Sequence, residues 1–275
     1  MRWPGYKNIF FDCDSTLSTI EGIDVLAEVA GKKWRVEVLT NAAMNGDLDL
    51  SEVYEKRLKA VRPTREQVYQ IKNAYKKNVV EDAQAVIDAL KYFDHNIFVV
   101  SGGLLEPVKE FAISLGVKPD HIKAVDVQYD ALSGEWWRQS DGMQVRYKTF
   151  EEGALTVTDG KADIVDQLLS AEKGSSLLVG DGTSDLLASR RVDLFVGYGG
   201  VVKRKKVLAK APAFVHSLSL APLLGLALGP AKLHMLHETE HEAVAQKALD
   251  LISTGELTFS DGDLQRRFDA ALHSR

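Results

Sequence analysis

The sequence predicts an α/β fold, a Rossmann-like three-layer core with a mostly parallel sheet and an inserted helical cap domain. Three observations carry that reading. Short apolar runs alternate with amphipathic stretches, the pattern of successive βαβ units. Several runs end in acidic or small residues, as strands do where their carboxyl ends open onto a ligand crevice. Residues 17–79 form a helix-rich, charged stretch between the first run and the second, too long for a simple crossover.

The first run is Ile9, Phe10 and Phe11, short, apolar and β-prone. It ends in Asp12 and Asp14. Strand alternation sends both carboxylates to one side and Cys13 to the other. Two close carboxylates repel unless a cation or a shared proton intervenes, so the pair points to a Mg²⁺ site with a carboxylate left for chemistry. Taken alone, Asp-x-Asp also fits a solvated turn or a helix cap. Residues 17–31 read as a helix that Gly31 stops. Residues 33–39, 50–61 and 65–78 read as further cap helices, with Pro63 separating the last two.

Residues 81–91 return as a helix, and 97–100 are a strand ending in Ser101-Gly102-Gly103. Such a turn into a helix at 107–115 suits a phosphate, through backbone N–H groups and the Ser101 hydroxyl; it also fits a turn that needs Gly for its backbone angles. Residues 122–127 read as a third strand. Residues 128–158 read as hairpin material, with turn pairs Ser133-Gly134 and Asp141-Gly142 and strand-favouring Trp136, Trp137, Val145 and Tyr147. Lys161 opens a helix at 161–171, where a cation opposes the helix dipole, so it is either solvated or held by an anion. The strand at 176–179 ends in Gly180-Asp181-Gly182-Thr183-Ser184-Asp185, which leads into a helix at 186–190; a fifth strand is expected at 193–197. From residue 221 the pattern is helical. Val244, Ala248, Leu251 and Ile252 share one face, which makes the tail a candidate surface for a homodimer. His234, His237 and His241 are expected on one helical face, more in keeping with a solvated surface than with a metal site.

Four acids, one lysine and a Ser-Gly-Gly loop at strand ends form a set suited to phosphoryl transfer. Asp12-x-Asp14-Ser15-Thr16, Ser101-Gly102, Lys161 and Gly180-Asp181-Gly182-x-x-Asp185 resemble the four motifs of the haloacid dehalogenase superfamily. More narrowly, Glu21-Gly22-Ile23-Asp24, Met44-Asn45-Gly46, Lys56-Arg57-Leu58, residues 63–68 and Gly197-Tyr198-Gly199-Gly200 resemble the phosphoserine phosphatase family. The likeness spans roughly residues 7–216. It implies a catalytic core at 1–16 and 80–216 and a cap at 17–79, followed by a helical C-terminal extension at 217–275. It also implies that Asp12 is the nucleophile and Asp14 the acid and base. Mg²⁺ would be held by Asp12, the Asp14 carbonyl, Asp181 and, through water, Asp185. Ser101, Gly102 and Lys161 would hold the phosphate, Glu21 the substrate ammonium and Arg57 its carboxylate, with Met44 lining the cap. Ser184 stands where the family usually has Asn or Thr near the substrate. The implied activity is Mg²⁺-dependent hydrolysis of phosphoserine, a step of serine biosynthesis.

Composition excludes other classes. The formal charge of −5 over 275 residues offers no footprint for nucleic acid. The most apolar segment, 218–229, is broken by Pro222 and is too short to span a membrane. No secretory leader is recognisable in residues 1–7, and a single cysteine permits no internal disulfide, so the expected setting is the cytoplasm, with a small phosphomonoester as partner. Two alternatives stay open: a phosphatase or phosphotransferase of the same fold for another small phosphometabolite, and a non-catalytic phospho-acceptor module. The long insertion argues against the second.

Overall fold

The structure is a computed structural model that describes residues 3–45, 50–133, 142–157 and 159–273. Strand β1 (Asn8–Phe11) is buried along its whole length. Four cap helices follow: α1 (Gly22–Val29), α2 (Lys33–Asn45), α3 (Leu50–Val61) and α4 (Arg65–Lys77). The core resumes with α5 (Ala83–Tyr92), β2 (Asn96–Leu104), α6 (Leu105–Ser114) and β3 (Ile122–Val125). A two-stranded antiparallel hairpin, β4 (Val127–Asp130) and β5 (Arg146–Phe150), comes next. It is followed by α7 (Lys161–Leu169), β6 (Ser176–Gly180), α8 (Thr183–Ala188), β7 (Leu194–Tyr198), α9 (Lys205–Lys210) and β8 (Ala213–Val215). The tail adds α10 (Pro222–Ala227), α11 (Pro230–His234), α12 (Glu242–Ser253), β9 (Leu257–Phe259) and α13 (Gly262–His273).

The seven-stranded sheet has the order β3-β2-β1-β6-β7-β8-β9. It is parallel except for β9, which runs antiparallel to β8. From β1 the chain winds outward to β2 and β3, then returns to β1's other side and winds out through β6, β7 and β8. Right-handed crossovers in opposite directions put helices on opposite faces, which makes three layers. The strand order reverses between β1 and β6, and ligand crevices form at such a switch point. Asp12 stands there; its N–H donates to the Val179 carbonyl at 3.0 Å.

Four details depart from the sequence reading. Ser101, Gly102 and Gly103 belong to β2, which runs on to Leu104 with an irregular register against β3. They form a bulged strand end, and α6 starts directly after it at Leu105. The tail is not wholly helical, because residues 257–259 complete the sheet edge. His234, His237 and His241 do not share a helix: α11 ends at His234 and the next residues are turns before α12. The apolar face of α12 is used within the chain. Val244 and Ala248 are buried, and α12 packs on α10. One chain therefore accounts for the amphipathic pattern that suggested a homodimer. Trp136, Trp137, the Gly134 and Asp141 ends of the turn pairs, and the Met44 and Leu50 side chains lie outside what is described. Among the described residues no helix is long and apolar enough to cross a membrane.

Backbone hydrogen bonds stitch the cap to the hairpin. The Arg65 N–H donates to the Val145 carbonyl at 2.9 Å, the Glu66 N–H to the Met143 carbonyl at 2.8 Å, and the Tyr147 N–H to the Pro63 carbonyl at 2.8 Å. Thr64 starts α4 with a reciprocal cap, its hydroxyl accepting from Gln67 N–H while the Gln67 side chain takes the Thr64 N–H. The same segment thus begins a cap helix and borders β5.

Candidate active site

Asp12 is the first residue after β1. Its Oδ1 accepts from the Cys13 N–H at 2.7 Å and lies 3.1 Å from Lys161 Nζ. Lys161 opens α7, is 3 % exposed, and also donates to Asp185 Oδ1 at 2.6 Å. The choice between a solvated and an anion-held lysine is thereby settled: two carboxylates hold it. Asp185 reaches this place because position 180 is glycine; a Cβ there would sit 2.2 Å from the Asp185 Cγ. Its second oxygen accepts the Gly182 N–H at 3.0 Å.

Carboxylate oxygens of Asp12, Asp181 and Asp185 lie within 4.8 Å of one another, all buried. They are hard oxygen donors at a spacing a small divalent cation can bridge. Asp14 sits apart from this triad. Its Oδ1 accepts from the Gly22 N–H at 3.0 Å and the Tyr75 hydroxyl at 2.7 Å. Tyr75 comes this close because Gly22 has no side chain; a Cβ there would meet the Tyr75 Oη at 2.3 Å.

Two cations bond to this group of acids, and a third, Arg57, is buried in the same cleft. Besides Lys161, Arg204 is buried at the cluster, its Nε donating to Asp181 Oδ2 at 2.8 Å and its Nη2 lying 3.7 Å from Glu21 Oε1. Five carboxylates against three cations leave an excess of negative charge in a site shielded from water. Burial, then the charge of Asp185, pushes the Asp12 carboxyl well above its usual range. Burial and then Glu21 push Asp14 up to about 7, against the Tyr75 and Gly22 hydrogen bonds. Burial likewise pushes Asp181 up to about 7, although Arg204 pulls the other way. For Lys161 burial opposes the charge, but Asp12 and Asp185 outweigh it and hold the ammonium above the ordinary lysine range. A divalent cation would relieve this excess, so the residues fit one.

The other predicted residues gather at the same place. Glu21, Arg57, Ser101, Gly102, Lys161 and Ser184 line one cleft with Asp12 and Asp14. Ser101 is fully buried, its Oγ accepting the Gly103 N–H at 2.9 Å. Glu21 accepts from the Ser15 hydroxyl at 2.8 Å, which the left-handed φ of 55° at Ser15 allows. Arg57, on α3, donates Nη1 to Thr40 Oγ1 at 3.0 Å, and its guanidinium lies 5.4 Å from the Tyr54 ring centroid. Cys13 is buried beneath the site, its thiol pushed up by burial and the flanking acids, so it offers no thiolate. Arg204, Tyr75 and Tyr54 are the residues that motif reading missed. A run of basic residues at 203–206 was the one sequence cue for Arg204.

Comparison with known proteins agrees with this geometry. The family profile of haloacid dehalogenase-like hydrolases matches residues 9–190. The phosphoserine phosphatase of Drosophila melanogaster is 30% identical over 209 residues, covering 75% of this chain and 73% of that protein. A substrate-bound phosphoserine phosphatase complex superposes with a TM-score of 0.67 at 25% identity, over 79% of this chain and 96% of the other. A phospho-aspartyl intermediate analogue of phosphoserine phosphatase gives the same TM-score and identity, over 80% and 98%.

Proposed function

Because the chain belongs to the haloacid dehalogenase-like hydrolases, and within them to the phosphoserine phosphatases, it is a phosphatase, and we propose that its substrate is phosphoserine, hydrolysed with Mg²⁺ in the cytoplasm. The observation that carries this reading is the placing of Glu21 and Arg57, an acid and a base, in the cleft that holds Asp12. An ammonium and a carboxylate on one small phosphomonoester complement such a pair, and a guanidinium matches a carboxylate fork to fork.

In this reading Asp12 attacks phosphorus and the bond to the serine oxygen breaks. The Cys13 N–H and Lys161 both address Oδ1, which favours Oδ2 as the attacking atom. Asp14, held near neutrality by burial, gives its proton to the departing serine oxygen. Asp14 then takes a proton from water as that water attacks phosphorus, which releases inorganic phosphate and restores Asp12. Lys161 and the Ser101–Gly102 strand end hold the phosphoryl oxygens. Asp12, Asp181, Asp185 and the Asp14 carbonyl would hold Mg²⁺, which when bound offsets the charge of the phosphate.

Steady-state kinetics over a panel of small phosphomonoesters tests the substrate. Phosphoserine should have the highest kcat/KM, and Arg57→Ala should lower that value by about tenfold or more, the worth of a hydrogen-bonded charge pair. An Arg57→Ala enzyme with unchanged kcat/KM for phosphoserine would overturn the assignment and favour another phosphometabolite.

A further inference from the structure

Tyr54 is 4 % exposed, yet its hydroxyl has no hydrogen-bond partner. A buried hydroxyl left unpaired costs about 1–3 kcal/mol, so such a group in a protein calls for an explanation. Tyr54 lines the cleft with Arg57, one turn further along α3, and the Arg57 Nε is unpartnered as well. The ring is held in place from two directions. The Arg57 guanidinium lies over it, and Phe150 of the hairpin meets it edge-on, with centroids 5.1 Å apart. Burial also pushes the phenol's pKa up, so it stays a neutral donor.

We propose that Tyr54 is a substrate-binding residue whose hydroxyl donates to the substrate carboxylate beside Arg57, so that two neighbouring side chains of α3 read the two oxygens of one group. This rests on the phosphoserine reading above. A carboxylate is the ligand group that both orphans suit: it offers two acceptors, and Arg57 Nε and Tyr54 Oη are both donors. The hairpin then takes on a function, since Phe150 fixes the ring that carries the hydroxyl.

The test is Tyr54→Phe in the full chain with Mg²⁺, assayed on phosphoserine and on phosphoethanolamine, which keeps the ammonium and lacks the carboxylate. The proposal expects KM for phosphoserine to rise about tenfold with little change in kcat. It expects phosphoethanolamine kinetics to be unaltered and Tm to be equal or higher, because an unpaired hydroxyl has gone. An equal loss on both substrates, or no change on phosphoserine while the wild type discriminates between the two, overturns the proposal and leaves the phosphoserine reading intact. A wild type that handles both substrates equally overturns that reading and this proposal together.

Discussion

Replacing Lys161 with methionine keeps much of the volume of a buried side chain and removes its charge. In the native protein Nζ lies 3.1 Å from Asp12 and 2.6 Å from Asp185, with 3 % of the residue exposed. Removing one partner of a buried pair costs about 3–5 kcal/mol. Protonation of the orphaned carboxyls recovers part of that, so about 3 kcal/mol is expected without metal. At roughly 2–4 °C per kcal/mol for a chain of this size, Tm should fall by about 6–12 °C. Catalysis should suffer separately: losing one charged donor to the phosphoryl oxygens costs about 10²–10³ in kcat. The two effects respond differently to Mg²⁺. The variant site carries one more uncompensated negative charge, so Mg²⁺ should raise its Tm by more than it raises the wild type's, while kcat stays low. Differential scanning fluorimetry with and without Mg²⁺, beside phosphate-release kinetics, reads both. A variant with wild-type Tm and a kcat within about threefold of wild type would refute the reasoning, because Lys161 would then neither neutralise the acids nor hold the phosphate.

Two further outcomes follow from the same electrostatics. Asp14 and Asp181 stay protonated up to about pH 7 in the fold but ionise near the ordinary carboxyl range when unfolded, so between those limits the unfolded state binds fewer protons and metal-free stability falls as pH rises. Metal competes with those protons, so the Tm difference between Mg²⁺ and chelator should widen from about pH 5 to about pH 7.5; a difference that is flat with pH would contradict the raised values. Tyr75→Phe removes a hydrogen bond that stabilises ionised Asp14. The alkaline limb of the kcat profile should therefore move to higher pH, and an unmoved limb would show that Asp14 is not the proton donor to the leaving group.

The parts of the site legible in the sequence were those built within one strand end. Asp12 and Asp14 follow a buried run and Asp181 and Asp185 follow another, but the alternation expected to put Asp12 and Asp14 on one side does not hold, because β1 ends at Phe11 and Asp14 turns to Gly22 and Tyr75, apart from the triad. The composition of Ser101–Gly103 marks a phosphate-suited stretch but suggests a turn where the chain is strand, because glycines weaken a strand pattern even where the chain stays extended. Partnerships across the fold left no such trace. Tyr75 meets Asp14 from 61 residues away and Arg204 meets Asp181 from 23, each bond made by tertiary packing. Strands β8 and β9 have three residues apiece, too few for alternation to register. The helical pattern from residue 221, with Val244, Ala248, Leu251 and Ile252 on one face, matches α12 over part of the tail, but periodicity says nothing of which surface the apolar face meets, and here it meets α10.

The seam between hairpin and cap ties down one flank of the cap. Residues 63–66 are bonded through main chain to 143–147, and Arg65 ties the cap to α6 as well, its Nε and Nη2 both donating to Glu106 Oε1, at 3.0 and 2.7 Å. Across the far flank Arg204 faces Glu21 at 3.7 Å, beside a groove between α1, α2 and residues 201–204. Arg204 thus touches both Asp181 and Glu21, so the proposed metal site and the proposed ammonium site share one cation.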